Sequence, residues 1–255
     1  MNIKEYLDEA ANQINTPAFI DNDPVQFPRR YSRLEDIEIV ALLVSTIAWG
    51  NRKVILRDAE RLLSKLGSSP YDFVMGEGYK LLGKDNIHRT FFEPDLAYFL
   101  RGLRVIYQGW GNVASFLKVF KIGDSATPVW DAAYFLRAAL MDGNGQKFNT
   151  KCMPKSFTTS ALKRFNLAFR WLVRNDGIVD LGVWDFITPA KLYIPLDIHV
   201  GNTARSLGLL KRNSNDRKAV EDLTGILRLY RPEDPVIYDY ALFGIGIENK
   251  TNNNG

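Results

Sequence analysis

The chain has 255 residues, 46% of them hydrophobic and 24% charged, which is enough to bury a substantial core as one large domain or two intimate lobes. A single cysteine, Cys152, excludes an internal disulfide and a four-cysteine iron–sulfur cluster. Two histidines, His88 and His199, argue against a dedicated zinc or iron site, so neither metal nor cofactor is expected. The formal net charge of +4 suits a nucleic-acid partner without requiring one.

No uninterrupted apolar run reaches the length of a membrane span, and Met1-Asn2-Ile3-Lys4-Glu5-Tyr6 lacks the apolar core of a signal peptide. A cytoplasmic monomer with no membrane partner is therefore expected. Residues 4–14 read as a short amphipathic helix, with Tyr6, Ala10 and Ile14 on one side. Three prolines make 16–30 a connection. Ser32-Arg33-Leu34-Glu35 has capping-box spacing, Asp36 and Glu38 add acid to the first turn, and the helix over 37–49 is apolar almost all round. Residues 52–66 form an amphipathic helix stopped at Gly67-Ser68-Ser69-Pro70, and the mixed stretch 71–93 allows a helix around Phe73. Leu96, Phe99, Leu100 and Leu103 make the apolar face of a helix over 95–107. After a glycine turn comes a short helix over 112–120, and Thr127-Pro128 opens another that ends near 140, the threonine as cap.

Residues 141–159 are irregular and basic through Lys147, Lys151 and Lys155; a solvated loop is the plain reading and a phosphate contact the functional one. The helix over 159–174 turns Leu162, Phe165, Phe169, Leu172 and Val173 inward and sets Lys163, Asn166, Arg170 and Arg174 in a polar stripe opposite. With Thr159 or Ser160 as N-cap, Lys163 lies in the first turn, where the helix dipole and Arg164 both oppose a positive charge, as a nucleophilic amine requires. On the residues alone, a tolerated surface lysine is the plainer reading. In Tyr193-Ile194-Pro195-Leu196-Asp197-Ile198-His199-Val200, the proline keeps Ile194 extended and Asp197 stands at an N-cap. Val200, Ala204 and Leu207 share the following helix face, and Gly208 stops it. On the residues alone, Asp197 is a cap before it is a catalyst. A helix over 216–229, a proline turn, a closing helix over 236–245 and a disordered tail at 248–255 complete an all-α reading, since no segment alternates with period two.

Three stretches, in order, resemble landmarks of the helix-hairpin-helix (HhH-GPD) DNA glycosylases. They are the buried helix ending Leu42-Leu43-Val44-Ser45, the Ile194-Pro195-Leu196-Asp197-Ile198-His199 segment, and the closing helix Tyr238-Asp239-Tyr240-Ala241-Leu242-Phe243-Gly244. As a whole the sequence is similar to a bacterial family distantly related to those enzymes, marked by a Lys-Arg-x-Asn helix. Its lysine–aspartate interval looks most like that of the archaeal 8-oxoguanine glycosylases. The resemblance implies a two-lobed helical fold with a cleft between the lobes, about 31–140 forming one and 1–30 with 141–247 the other. It implies excision of a damaged base, an oxidised purine foremost, from DNA or RNA through a Schiff base on Lys163 assisted by Asp197. Trp49, Asn51, Arg52, Asn166, Arg170 and His199 would meet substrate, and Lys151, Lys155, Arg164 and Arg205 the nucleic-acid backbone. Lys191 is the rival amine. Two departures stand out: Thr46-Ile47 replaces the family's frequent glutamine, and its leucine-proline-glycine-valine-glycine hairpin is missing. A non-catalytic nucleic-acid binder on the same scaffold is therefore the alternative, and a helical protein whose cleft serves a small molecule or partner protein is a third.

Overall fold

A computed structural model describes the backbone of residues 2–252 and the side chains of 2–247. Helices make up most of the described residues: α1 Ile3–Ile14, α2 Pro17–Ile20, α3 Leu34–Ile47, α4 Arg52–Leu66, α5 Pro70–Met75, α6 Glu93–Trp110, α7 Val113–Val119, α8 Pro128–Asp142, α9 Lys163–Val173, α10 Ile198–Ser206, α11 Arg217–Tyr230 and α12 Tyr238–Asn252. A small antiparallel hairpin, β1 Asn86–His88 with β2 Phe91–Phe92, interrupts them without changing the class. The tail expected to be disordered overlaps α12 over 248–252, and its last three residues lie outside the described ones. No helix among the described residues is long and apolar enough to cross a membrane.

The chain divides into two compact units. One, the middle unit, is Asp21–Lys155; the other, the terminal unit, joins Met1–Ile20 to Ser156–Gly255. Both boundaries lie outside the 31–140 span expected for the first lobe, for reasons visible in the side chains. Arg52 pairs with Asp23 at 3.4 Å and Arg30 with Glu60 at 2.8 Å, which ties the 3-10 turns at 24–30 to α4. At the other end the irregular loop is latched along α6. Asn144 donates to the Tyr98 carbonyl at 2.9 Å, Tyr98 to the Lys147 carbonyl at 2.8 Å, and Asn149 to Asp95 at 2.8 Å.

In the middle unit α3 is buried along nearly its whole length, as its apolar composition demands. Glu38, the most deeply buried acid of that helix, accepts the Val113 and Ala114 N–H groups at 2.8 Å each and so satisfies the first turn of α7. The expected capping box does not form. Arg33, not Ser32, is the N-cap of α3 and makes no side-chain cap bond, while Asp36 accepts from the Tyr71 N–H at 2.7 Å in α5. Thr127 stands at the N-cap of α8 as expected, but its hydroxyl makes no cap bond and donates to Asp131 at 3.4 Å instead. Helices α6 and α8 meet at Gly102, where an added Cβ would fall 2.4 Å from the Leu140 Cα.

In the terminal unit α1 and α10 both pack on α12 at glycines. A Cβ at Gly244 would lie 2.5 Å from Ile14, and one at Gly246 would lie 2.7 Å from the Thr203 hydroxyl. The Phe19 ring stands edge-on to Tyr240 at 5.2 Å, and Trp184 stands edge-on to Phe169 at 5.1 Å, closing the core around α9.

Candidate active site

Lys163 is the first residue of α9. The cap is Leu162, in the left-handed region at φ 47° with its side chain buried; neither Thr159 nor Ser160 serves. Those two residues are occupied elsewhere. The Ser160 hydroxyl accepts from the Leu162 N–H at 3.3 Å, and the Thr159 carbonyl accepts from the Arg217 N–H at 2.9 Å, fastening the approach to α9 onto α11. The sharp turn at Leu162 delivers the Lys163 side chain toward the N-terminus of α10.

Asp197 is the N-cap there, its Oδ1 accepting the Val200 N–H at 2.9 Å as the sequence predicts. The Asn215 amide grips the Asp197 carbonyl at 2.9 Å, and Arg205 holds Asn215 in turn. With Oδ1 committed to the helix, Oδ2 faces Lys163 Nζ at 3.7 Å. Both side chains remain open to solvent, 28% and 31% exposed. An amine and a carboxylate from distant stretches of sequence thus meet on the surface of the terminal unit.

The remaining polar face of α9 is not the solvated stripe expected of it. Arg170 and Arg174 are buried, and four carboxylates surround them: Asp180 bridges Arg170 Nε at 3.3 Å and Arg174 at 3.1 Å, Asp239 pairs with Arg170, and Asp176 and Asp234 bind Arg174 at 2.7 and 2.8 Å. The Tyr240 ring lies 4.4 Å from the Arg170 guanidinium and 5.6 Å from that of Arg174. Asn166, also buried, donates to the Ala161 carbonyl at 2.9 Å, and its Oδ1 has no partner among the described residues. Arg170 and Asn166 are therefore packed into the interior rather than set at a substrate surface, which corrects the expectation of a solvent-facing stripe.

Asp239 links this interior to the open pair. Burial pushes its carboxyl up to about 6 against the pull of Arg170; the charges of Asp197 and Asp180 act in the same direction as burial, and that of Lys163 opposes them. For Arg174 the cost of burial is overcome by Asp180, Asp234 and Asp176, which hold its guanidinium more firmly protonated than usual. In the sequence Asp239 reads only as part of an apolar closing helix. An acid between two tyrosines is the one signal there that could have singled it out.

The other expected residues fall into two groups. In the terminal unit His199 is exposed beside Asp197, Arg164 is half-buried, and Arg205 is spent on the Arg212 carbonyl at 2.8 Å and on Asn215, which braces the loop behind Asp197. Lys191 ends a 3-10 turn, Pro189–Lys191. Trp49, Asn51, Arg52, Lys151 and Lys155 belong to the middle unit. There Asn51 caps α4 through the Val54 N–H at 3.3 Å, and Arg52 is paired with Asp23. The Trp49 carbonyl lies 2.9 Å from His88 Nε2, and His88 Nδ1 lies 2.7 Å from Asp58. Lys151 and Lys155 are exposed on the latched loop. No group of three or more His, Cys, Asp or Glu side chains among the described residues is arranged to hold a metal ion.

A family model described as "Protein of unknown function (DUF2400)" matches residues 23–248, most of the chain. No curated protein and no solved structure matches it.

Proposed function

The chain belongs to the DUF2400 family, and from its own geometry we propose that it is a DNA glycosylase with an associated strand-cleaving lyase step. Its substrate class is a damaged base, an oxidised purine foremost. The observation that carries this reading is the 3.7 Å approach of Lys163 Nζ to Asp197 Oδ2 on an accessible surface. The target nucleotide leaves the stack, and Nζ attacks C1′. The Nζ–C1′ bond forms as the bond from C1′ to the base breaks, and the base leaves with that electron pair and takes up a proton from water. Asp197 accepts a proton from Nζ and passes it to the ring oxygen as the sugar opens to a protonated imine. That imine acidifies the C2′ hydrogen, whose loss expels the 3′-phosphate. Because Oδ1 is tied to α10 and the carbonyl to Asn215, the acid is held in one orientation before substrate arrives. A glycosylase-like helical fold, action as a monomer and a cytoplasmic location belong to the same proposal.

Borohydride trapping on oligonucleotides bearing 8-oxoguanine, uracil or alkylated bases tests it. Wild type gives a covalent adduct with at least one lesion, Lys163→Gln gives none, and Asp197→Asn slows formation by roughly 10²–10⁴-fold, with circular dichroism unchanged in both. Undiminished trapping by Lys163→Gln would falsify the assignment. One observation favours the second reading, a nucleic-acid binder without chemistry: Asn166 and Arg170, two of the side chains expected at the substrate, are buried. That reading gives salt-sensitive binding and no adduct with any lesion.

A further inference from the structure

The middle unit carries a surface that the amine–acid pair does not use. Its rings run in a continuous series. Trp110, at the end of α6, lies 4.9 Å from Phe116, which lies 5.0 Å from Phe120 at the end of α7; Phe120 stacks on Phe135 of α8 at 3.9 Å, nearly parallel. Tyr134 continues the series 5.4 Å from Phe135, and the Arg137 guanidinium joins it to Phe148 of the latched loop, 5.9 Å from one ring and 5.7 Å from the other. Large rings are ordinarily buried, yet Tyr134 is 53% exposed, Phe148 39%, Trp110 38% and Phe120 36%. Four of the large exposed hydrophobic side chains among the described residues thus belong to one connected series of rings, and a cluster of that kind marks a binding face rather than scatter.

The charge around the rings has one sign in excess. From position 110 to 155 the chain has six basic and three acidic residues, so this stretch carries +3 of the chain's +4. Of the acids, Asp131 is engaged by Ser125 and Thr127 at the start of α8. Lys118 and Lys121 are exposed beside Phe120, and Lys151 and Lys155 lie on the loop that presents Phe148. Lysine is depleted from the centres of protein–protein interfaces. Aromatic faces interleaved with cations are what an unstacked strand of nucleotides requires, because every base offers a π-face and every linkage a negative charge. A duplex hides those faces, so the same surface discriminates against it.

We propose that the aromatic face of Trp110, Phe120, Tyr134 and Phe148, flanked by Lys118 and Arg137, binds single-stranded nucleic acid with bases against the rings and phosphates against the cations. The site needs no chemistry at Lys163 and stands whether or not the glycosylase reading does.

Fluorescence anisotropy of the full chain with a labelled twelve-nucleotide oligothymidylate, and with a duplex of equal length, tests the proposal. The single strand binds more tightly than the duplex and loses affinity as salt rises from about 50 to about 200 mM. Tyr134→Ala and Phe148→Ala each weaken binding about tenfold. Lys118→Gln, a change on an exposed side chain that leaves the rings in place, lowers the salt dependence. Leu229→Ala, at an 80% exposed position outside the middle unit, binds like wild type. Equal affinity for strand and duplex, unchanged binding by both ring variants, or no binding at low salt would each overturn it. So would a self-associated form, seen by sedimentation, that Tyr134→Ala dissolves, since the rings would then serve a second copy of the chain.

Discussion

Asp239 is the side chain on which the interior and the surface of the terminal unit depend together. Its folded value near 6 lies above the ordinary 3.8, so between those limits the native protein holds a proton that the unfolded chain has released. Its contribution to stability is complete below about 4 and is lost as the pH rises through about 6. Asp239→Asn cannot titrate. The stability of wild type minus that of this variant, read from urea unfolding, therefore falls from about pH 4 to about pH 7; a difference that rises over that range refutes the assignment. At this scale the sequence is informative for Asp197, because a helix cap is a local matter of one acid and the amides just after it. It misleads for Asn166 and Arg170. A polar stripe at helical spacing reads the same whether it meets water or carboxylates supplied from 176–180 and 234–239, and one helix does not contain its partners.

Helices are the most legible level. Arg52–Leu66 agrees with its pattern at both ends, since Asn51, an apolar face and Gly67 at φ 72° all act within the segment. Caps are less legible wherever two helices compete for one side chain: Asp36 serves α5 rather than its own first turn, and Leu162 takes the cap of α9 because Ser160 and Thr159 bond elsewhere. Packing between helices is least legible of all. Gly102 is merely a glycine inside an apolar helix pattern until Leu140 is seen against it. Replacing it with alanine puts a methyl group into the Leu140 backbone and forces α8 away, which costs about 1–3 kcal/mol. A lower urea midpoint at unchanged slope is the expected result, and a midpoint equal to wild type would show that α8 yields freely.

The molecule as a whole joins its first twenty residues to its last hundred. Since α1 packs on α12 through Gly244, and Phe19 closes over Tyr240, deletion of residues 1–20 uncovers the helix that carries Asp239. Amide exchange in that truncated chain accelerates across α9, α10 and the described part of α12, while α3, buried within the middle unit, keeps its protection. Equal exchange in full-length and truncated chains would mean that α1 contributes nothing to that core. Sequence alone does not disclose this arrangement, because nothing in the pattern of 4–14 states which remote helix covers it.

The same discontinuity imposes an order on biosynthesis. Every residue of the middle unit has been translated once position 155 is joined, so that half can mature while the ribosome is still working. Its companion must keep its opening helix waiting while the whole middle unit is made, until the closing one emerges. The lysine and the aspartate are therefore brought into lasting register only once α12 has been made, and a nascent chain stalled before that point would carry both groups without the finished scaffold that holds them.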